Sequence, residues 1–488
     1  MKHMIKILTL AAVLTLAGPA AAYDIEAWNS AIPDQPEHVL IRNATLWTAD
    51  EAGILEQADL LIHRGRIERI GEDLRAPRAA VEIDASGRHV TPGLIDAHSH
   101  AAITGGINES SLISTAMVHI GDVINADSIN IYRQMAGGLT TMHLMHGSAN
   151  AIGGQNVIVK LRWGADPDDM IIDGQPGVIK FALGENPKQS NWQPDTPRYP
   201  NSRQGVNQII DEKFQTAREY AEQHAEPSGR DRVPPRPSLE MDVLVDILEG
   251  EIDVHSHGYR ADEFIALLRT AERHGFRIKA LHHVLEGYKV ADEMAEHGAG
   301  GSTFSDWYGF KYEARDAIPY NAALMHERGV LTSLNSDNPE LARRMNVEAA
   351  KTVRYGGMEE HEALKLVTAN PARQLGLSER IGRLAEGLDA DIVIWNGSPL
   401  SVTSRVDQTW IDGRRYFDRQ RDLEARERWE DERQRLIALV RAESEADEED
   451  EAEEKPESPD ADVPEAESDP DPDPDRGMNV LRKLLGGA

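Results

Sequence analysis

The chain contains no cysteine in 488 residues. Disulfides, thiol nucleophiles, thiolate metal sites and a lipid-modified cysteine are therefore excluded. A metal could be held only by histidine, carboxylate or a modified lysine. Basic residues are also short: 52 Lys and Arg stand against 83 Asp and Glu, for a net charge of −31. That balance argues against nucleic acid as a partner. Beyond the N-terminus no apolar run is long enough to span a bilayer, so no stable membrane anchor is expected.

What is present at the two ends is distinctive. "MKHMIK" is basic, "ILTLAAVLTLAG" is apolar and "PAAAYD" offers small residues before a cut, so 1–22 reads as a signal peptide cleaved near Ala22. The mature protein is expected to be periplasmic or secreted. At the other end, 421–442 reads as a charged helix and 443–476 as a disordered acidic tail. More than half of the net charge lies in that tail, which has no aromatics and many prolines. Residues 477–488 form a short basic segment.

Between the ends, 23–92 shows short alternating runs punctuated by Gly, Asn and Asp, and 378–420 returns to the same pattern. Together they predict a small β-sandwich domain built from both ends of the chain. The middle, 93–377, alternates strand and helix. Apolar runs occur at "GLIDAHSH", "GLTTMHLMHG", "NVIVKL", "GVIKFALG", "EIDVHSH", "RIKALHH", "GSTFSDW" and "VLTSLNSD". Helical periodicity lies between many of them. The expected fold class is α/β: a distorted TIM-like (β/α)8 barrel carrying the small β domain. The third run is the least regular, since "NVIVKL" also fits half of a hairpin.

In such a barrel, chemistry sits where the strands end. Strand 1 ends at His98 and His100, which point to one face because side chains at i and i+2 do so. Strand 4 carries Lys180, strand 5 ends at His255 and His257, strand 6 at His282 and His283, and strand 8 at Asp337. Neutral imidazole and carboxylate suit a divalent metal, Zn²⁺ first among them. Lys180 is the misfit, because a buried ammonium would repel a cation. Carboxylation by CO₂ reverses its sign, and the carbamate offers an oxygen to each of two ions. Two ions are expected if Lys180 is carboxylated, and one otherwise.

The combination of "TPGLIDAHSH", "GSANAIGGQ", "VIKFALGENPK", "VHSHGYRADE", "HHVLEGYKVADE", "STFSDW", "LNSD", "TANPARQLGL" and "AEGLDADIVIW" resembles the amidohydrolase superfamily. The similarity is to the branch of imidazolonepropionases and metal-dependent Xaa-Pro or Xaa-Arg dipeptidases, over about residues 37–420. The resemblance implies metal-dependent hydrolysis of an amide or amine bond. It matches His98 and His100 to first-strand ligands and Lys180 to the carboxylated bridge. It matches His255 and His283 to the fifth- and sixth-strand ligands, with His257 and His282 as alternatives, and Asp337 to the last ligand and general base. Glu185 is an alternative ligand near strand 4.

The implied reaction is attack of a metal-activated hydroxide on the carbonyl of a peptide or small amide, with Asp337 as general base and then acid. The alternatives are a one-metal cyclic-amide hydrolase or deaminase, and a non-catalytic binding protein on the same fold. Arg203 and Arg260 are candidate anchors for a substrate carboxylate, and Trp307 and Tyr308 candidate pocket walls. A small molecule or dipeptide is the expected partner, and a homo-oligomer stays open.

Overall fold

Seventeen strands form three hydrogen-bonded sheets in the computed structural model, which describes residues 32–188, 198–225 and 236–453, with side chains to residue 445. The strands are β1 (His38–Trp47), β2 (Ile54–His63), β3 (Arg66–Gly71), β4 (Val81–Asp84), β5 (His89–Pro92), β6 (Leu94–Ser99), β7 (Leu139–Leu144), β8 (Ile152–Gln155) and β9 (Val157–Lys160). They continue as β10 (Gly177–Ala182), β11 (Ile252–Gly258), β12 (Ile278–His283), β13 (Gly300–Thr303), β14 (Thr332–Leu334), β15 (Ile392–Trp395), β16 (Val406–Ile411) and β17 (Arg414–Asp418).

The alternating runs at the two ends of the chain do meet. They make one eight-stranded sheet in the order β17-β16-β15-β5-β1-β2-β3, with β4 also on β1. The expected sandwich is therefore a single hydrogen-bonded sheet, because β5 pairs with β1 on one side and with β15 on the other. One face of it buries Val39, Ile41, Leu60, Ile62, Ile392 and Trp410. Each such side chain contributes about 1.5–3 kcal/mol of transfer free energy.

All eight apolar runs of the middle become strands. Strands β10 to β14 are parallel and in chain order, while β6 pairs with β7 in a separate three-stranded sheet. The irregular third run explains the division. β8 lies antiparallel to β10 and β9 lies antiparallel to β7, with Asn156 between them. Asn156 accepts from His146 N through Oδ1 (3.0 Å) and donates its own N–H to Val178 O (2.7 Å), which fixes this break. On the far side, Asp337 N donates to His98 O at 3.0 Å, so the ends of β6 and β14 also meet.

The helices between strands are amphipathic as expected. Ala261–His274 buries Phe264, Leu267, Leu268 and Ala271, and ends at Gly275 in the left-handed region (φ 83°). Only glycine takes that conformation freely, so the "ERHG" stop has a physical cause.

Lys160, at the end of β9, is fully buried and joins the two parts of the fold. Its Nζ lies 2.9 Å from Asp389 Oδ2, 2.9 Å from Asp391 Oδ2 and 2.5 Å from Asp412 Oδ1. Burial alone would lower the Lys160 pKa; Asp391, Asp412 and Asp389 outweigh it and raise the value. Lys160→Met leaves the buried Asp391 without a cation, while Asp389 keeps Arg66 and Arg380 and Asp412 keeps Arg162. It is expected to cost about 3–5 kcal/mol, read as a fall in the denaturant midpoint. An unchanged midpoint would refute this role.

Asn29–Arg419 forms one compact unit, and the chain from Gln420 belongs to another. The helix expected over 421–442 runs Arg419–Glu453. It enters the stretch expected to be disordered from 443, because Glu and Ala favour helix and the first proline there is Pro456. The stretch 1–22 expected to be a signal peptide, the acidic stretch beyond Glu453 and the segment 477–488 lie outside the described residues. A chain ending at Gln420 is expected to stay soluble and to melt in one transition by circular dichroism. Aggregation of that chain would place the boundary elsewhere.

Candidate metal centre

The end of β6 supplies His98 and His100. Asp96, two residues earlier, is buried. It accepts from Ser336 Oγ (2.5 Å), Ser336 N (3.0 Å) and His98 N (3.2 Å). Burial pushes its pKa up to about 6, against these hydrogen bonds. Asp96 thus ties β6 to the segment that carries Asp337.

His98, His100 and Asp337 form one group able to hold a cation. His98 Nε2 is 3.2 Å from His100 Nε2 and 3.5 Å from Asp337 Oδ1, which is 3.3 Å from His100 Nε2. His100 Nδ1 sits 2.8 Å from Met145 O. That contact leaves Nε2 as its free lone pair. Lys180 Nζ lies 3.2 Å from His98 Nε2 and is fully buried. Burial pulls Lys180 down to about 7, partly opposed by Asp337, and pushes Asp337 up to about 7, opposed by Lys180.

Four more histidines stand around this group in two pairs. His257 and His283 have ring centres 4.2 Å apart, and His283 Nδ1 reaches to 3.9 Å from Asp337 Oδ2. His255 Nδ1 and His282 Nε2 are 2.8 Å apart and join His143 in a second three-residue group able to hold a cation. His255 and His283, the pair favoured by resemblance, therefore fall in different groups. The αL backbone explains how neighbours His282 and His283 both face inward: φ is 65° at His283 and 39° at Val284. Strand alternation alone would send them to opposite faces. Such strained conformations collect at functional sites.

Every one of these imidazoles is held neutral. Burial drives His98, His255, His257, His282 and His283 well below the ordinary value, with Lys180 adding to it in each. His100 and His143 fall to about 3 for the same reasons. Neutral nitrogens are the metal-binding form. Several are buried without a partner: His98 Nδ1, His143 Nε2, His255 Nε2, His282 Nδ1, His283 Nδ1 and both nitrogens of His257. An unsatisfied buried acceptor costs about 1–3 kcal/mol. A divalent cation beside Asp337 would take the lone pairs of His98 Nε2 and His100 Nε2, stand near the unpartnered His283 Nδ1 and offset the crowding there, so the donor set fits one.

The other expected residues lie further out. Glu185 pairs with Lys311 (3.4 Å). Arg203 contacts both Glu263 and Glu313. Arg260 makes a two-pronged pair with Asp262, at 2.9 and 3.1 Å. Trp307 stacks on Phe304 with ring centres 4.0 Å apart, and Phe304 lies 5.2 Å from the His283 ring. Tyr308 is exposed and donates to Ser305 O (3.2 Å).

Sequence reasoning missed His143, Tyr259 and Lys311. His143 had the same signature as His98, a histidine inside an apolar strand. Tyr259 stacks on His283 (5.0 Å), and the Lys311 ammonium lies 4.0 Å from the Tyr259 ring centre. That contact pairs two loops and carries no short-range pattern.

Comparison with known proteins adds four likenesses. A profile described as "Amidohydrolase family" matches residues 249–417. The crystal structure of an amidohydrolase from Thermotoga maritima MSB8 is 31% identical, covers 78% of this chain and 100% of its own, and superposes with a TM-score of 0.72. Amidohydrolase tasK of Hapsidospora irregularis is 29% identical over 78% of this chain, which spans 43% of that protein's length. An imidazolonepropionase of Sphingopyxis alaskensis is 25% identical over 75% of this chain and 93% of its own.

Proposed function

The chain belongs to the amidohydrolase family, and on that premise we propose that it is a metal-dependent hydrolase of a carbon–nitrogen bond in a peptide or small amide. The observation that carries this reading is the group His98, His100 and Asp337 set 3.2 Å from a buried lysine. We read the succession β6, β7, β9/β8 and β10 to β14 as a distorted (β/α)8 barrel whose strand ends point these residues together.

The residues that would hold a first divalent ion are His98, His100 and Asp337. Lys180, as a carbamate, and the pair His257 and His283 would hold a second. Zn²⁺ suits this nitrogen and oxygen set. When bound, such ions polarise a carbonyl and acidify water. Asp337 takes the proton of the attacking water and delivers it to the leaving nitrogen. Phe304, Trp307 and Tyr259 keep bulk water from the histidine side. His282 packs edge-on against His98 (ring centres 4.9 Å) and, with His255 and His143, would support the placement of the ligands.

A library of dipeptides, acylated amino acids and small lactams, screened with Zn²⁺-loaded enzyme, tests the reading. Hydrolysis of at least one class is expected. The imidazolonepropionase likeness favours lactams as a second reading, and one ion per chain with turnover of a ring alone would select it. No turnover across the library at full metal loading would favour a binding protein.

Arg260 is the proposed carboxylate anchor, since its guanidinium is part-exposed and Asp262 alone holds it. Arg260→Ala is expected to raise KM several-fold with kcat retained; unchanged kinetics would remove it. Arg203 holds two buried carboxylates, so Arg203→Ala should lower stability as well. Export is proposed from residues 1–22 and is checked by N-terminal sequencing of the mature protein, expected to begin near Tyr23.

A further inference from the structure

A third group of metal-type side chains lies on the eight-stranded sheet, away from the centre just described. It consists of His38 on β1, His63 on β2 and Glu68 on β3. The register puts them on one face. His38 is paired directly with His63 across the β1–β2 ladder. His63 is paired with Arg66 on β3, and Glu68 is two residues further along, so it returns to the same side. Val39, Ile62 and Ile67 alternate with them and point to the opposite, buried face; on their own face Leu40 and Leu61 are buried beside them, His38 and His63 are half-buried and Glu68 is exposed.

A local irregularity brings Glu68 in. Leu61 pairs with Arg69 and Ile62 with Ile67, so Glu68 is the extra residue of a bulge. Bulges re-aim side chains and twist the strand. The result is that one ligand atom from each of the three residues lies within 4.8 Å of the others. The two imidazoles are stacked, with centres 4.5 Å apart and planes 9° from parallel.

We propose that His38, His63 and Glu68 form a divalent transition-metal site that clips the edge strand β3 to β2 and β1. Two imidazoles and a carboxylate match the donors used by Zn²⁺, and also suit Ni²⁺ and Cu²⁺. Ligand atoms around a tetrahedral ion are about 3.3 Å apart, from bond lengths of about 2.0–2.1 Å. The side-chain tips therefore close by at most about 1.5 Å, and one ring turns out of the stack so that both lone pairs meet at one point. Three protein ligands leave a further position to water. The ion would add a cross-link to a strand whose outer edge is bonded through Ile67 to the backbone of Gly387 and Leu388.

The test is equilibrium dialysis of the full chain against Zn²⁺, followed by metal analysis, for wild type and His38→Ala/His63→Ala. Wild type is expected to hold one more ion per chain than the double variant, and Zn²⁺ is expected to raise Tm further in wild type than in the variant. Glu68→Gln should weaken the site while keeping two-nitrogen coordination, visible in the spin-resonance spectrum of bound Cu²⁺. Circular dichroism checks that the variants fold. Equal ion counts and equal Zn²⁺-dependent Tm shifts in wild type and double variant would overturn the proposal.

Discussion

Lys180→Ala is expected to lose most of the bound metal and to cut turnover by about 10²–10³-fold or more, the scale of removing a preorganised charged element from an active site. Lys180 sits in β10 among Val178, Ile179, Phe181 and Ala182, with no exposed surface. Its Nζ neighbours are His98 Nε2 at 3.2 Å and Met145 Sδ at 3.7 Å. That is a poor setting for an ammonium ion. Burial brings its pKa down to about 7, so near neutrality a large fraction is free amine. The free amine is the form that adds CO₂, giving a carbamate and releasing a proton. The carbamate carries the negative charge that the surrounding histidines do not supply.

Two results follow from that chemistry. Density at Lys180 should show three additional atoms between two ions about 3.5–4 Å apart. Lys180→Ala should regain part of its metal and activity when a short-chain carboxylic acid is supplied. One ion per chain with an unmodified amine would exclude the bridged arrangement and bring the one-metal, cyclic-amide reading forward. Full activity of Lys180→Ala would exclude any role in catalysis.

Much of the site was legible because strand periodicity is a short-range property. His98 and His100 share a face through the i, i+2 rule, and Asp337 follows an apolar strand at the same end of the fold. The choice within each pair of histidines was not legible. His282 and His283 both turn inward through left-handed backbone at His283 and Val284, and no residue type in "LHHVLEG" requires it. The grouping of His255 with His143 depends on β7 and β11 facing one another across the structure, a tertiary fact. The fold shows the same division. The alternating ends predicted a β domain, but whether they would make one sheet or two rests on β5, which bonds to β1 and β15 at once. The break at Asn156 was half visible in the irregular "NVIVKL" run.

The arginines teach a different lesson. Sequence position puts Arg203 and Arg260 in segments after strands, where specificity is built; in the fold Arg203 opens the helix Arg203–Ala225 and Arg260 caps Ala261–His274. Their charges are partly spent. Arg203 is shared by Glu263 and Glu313, both nearly inaccessible, and its loss would leave Glu263 without its ion-pair partner and Glu313 with Lys311 alone. Lys311, held over the Tyr259 ring and beside Glu185 and Glu313, adjoins the His257 and His283 pair through that ring. A mutational study of substrate anchoring would gain by including it.

Asp337→Asn should give the second large effect, a fall in kcat of about 10²–10⁴-fold, the usual worth of a positioned acid–base group. The substitution keeps the shape, so the main-chain bond from residue 337 N to His98 O and the left-handed backbone (φ 46°) should persist. Asn also tolerates that conformation well. What it loses is the negative charge that faces His98, His100 and His283, and the ability to take a proton. The pH profile separates these losses. Burial raises the Asp337 pKa to about 7, against the pull of Lys180. A bound cation favours the charged carboxylate and moves the value down. A base works when deprotonated, so kcat/KM in the metal-loaded enzyme should rise with pH through an acid limb lying below about 7. In Asp337→Asn at restored metal content that limb should vanish and kcat should stay low. A variant that regains full turnover once metal is restored would show that Asp337 serves only as a ligand.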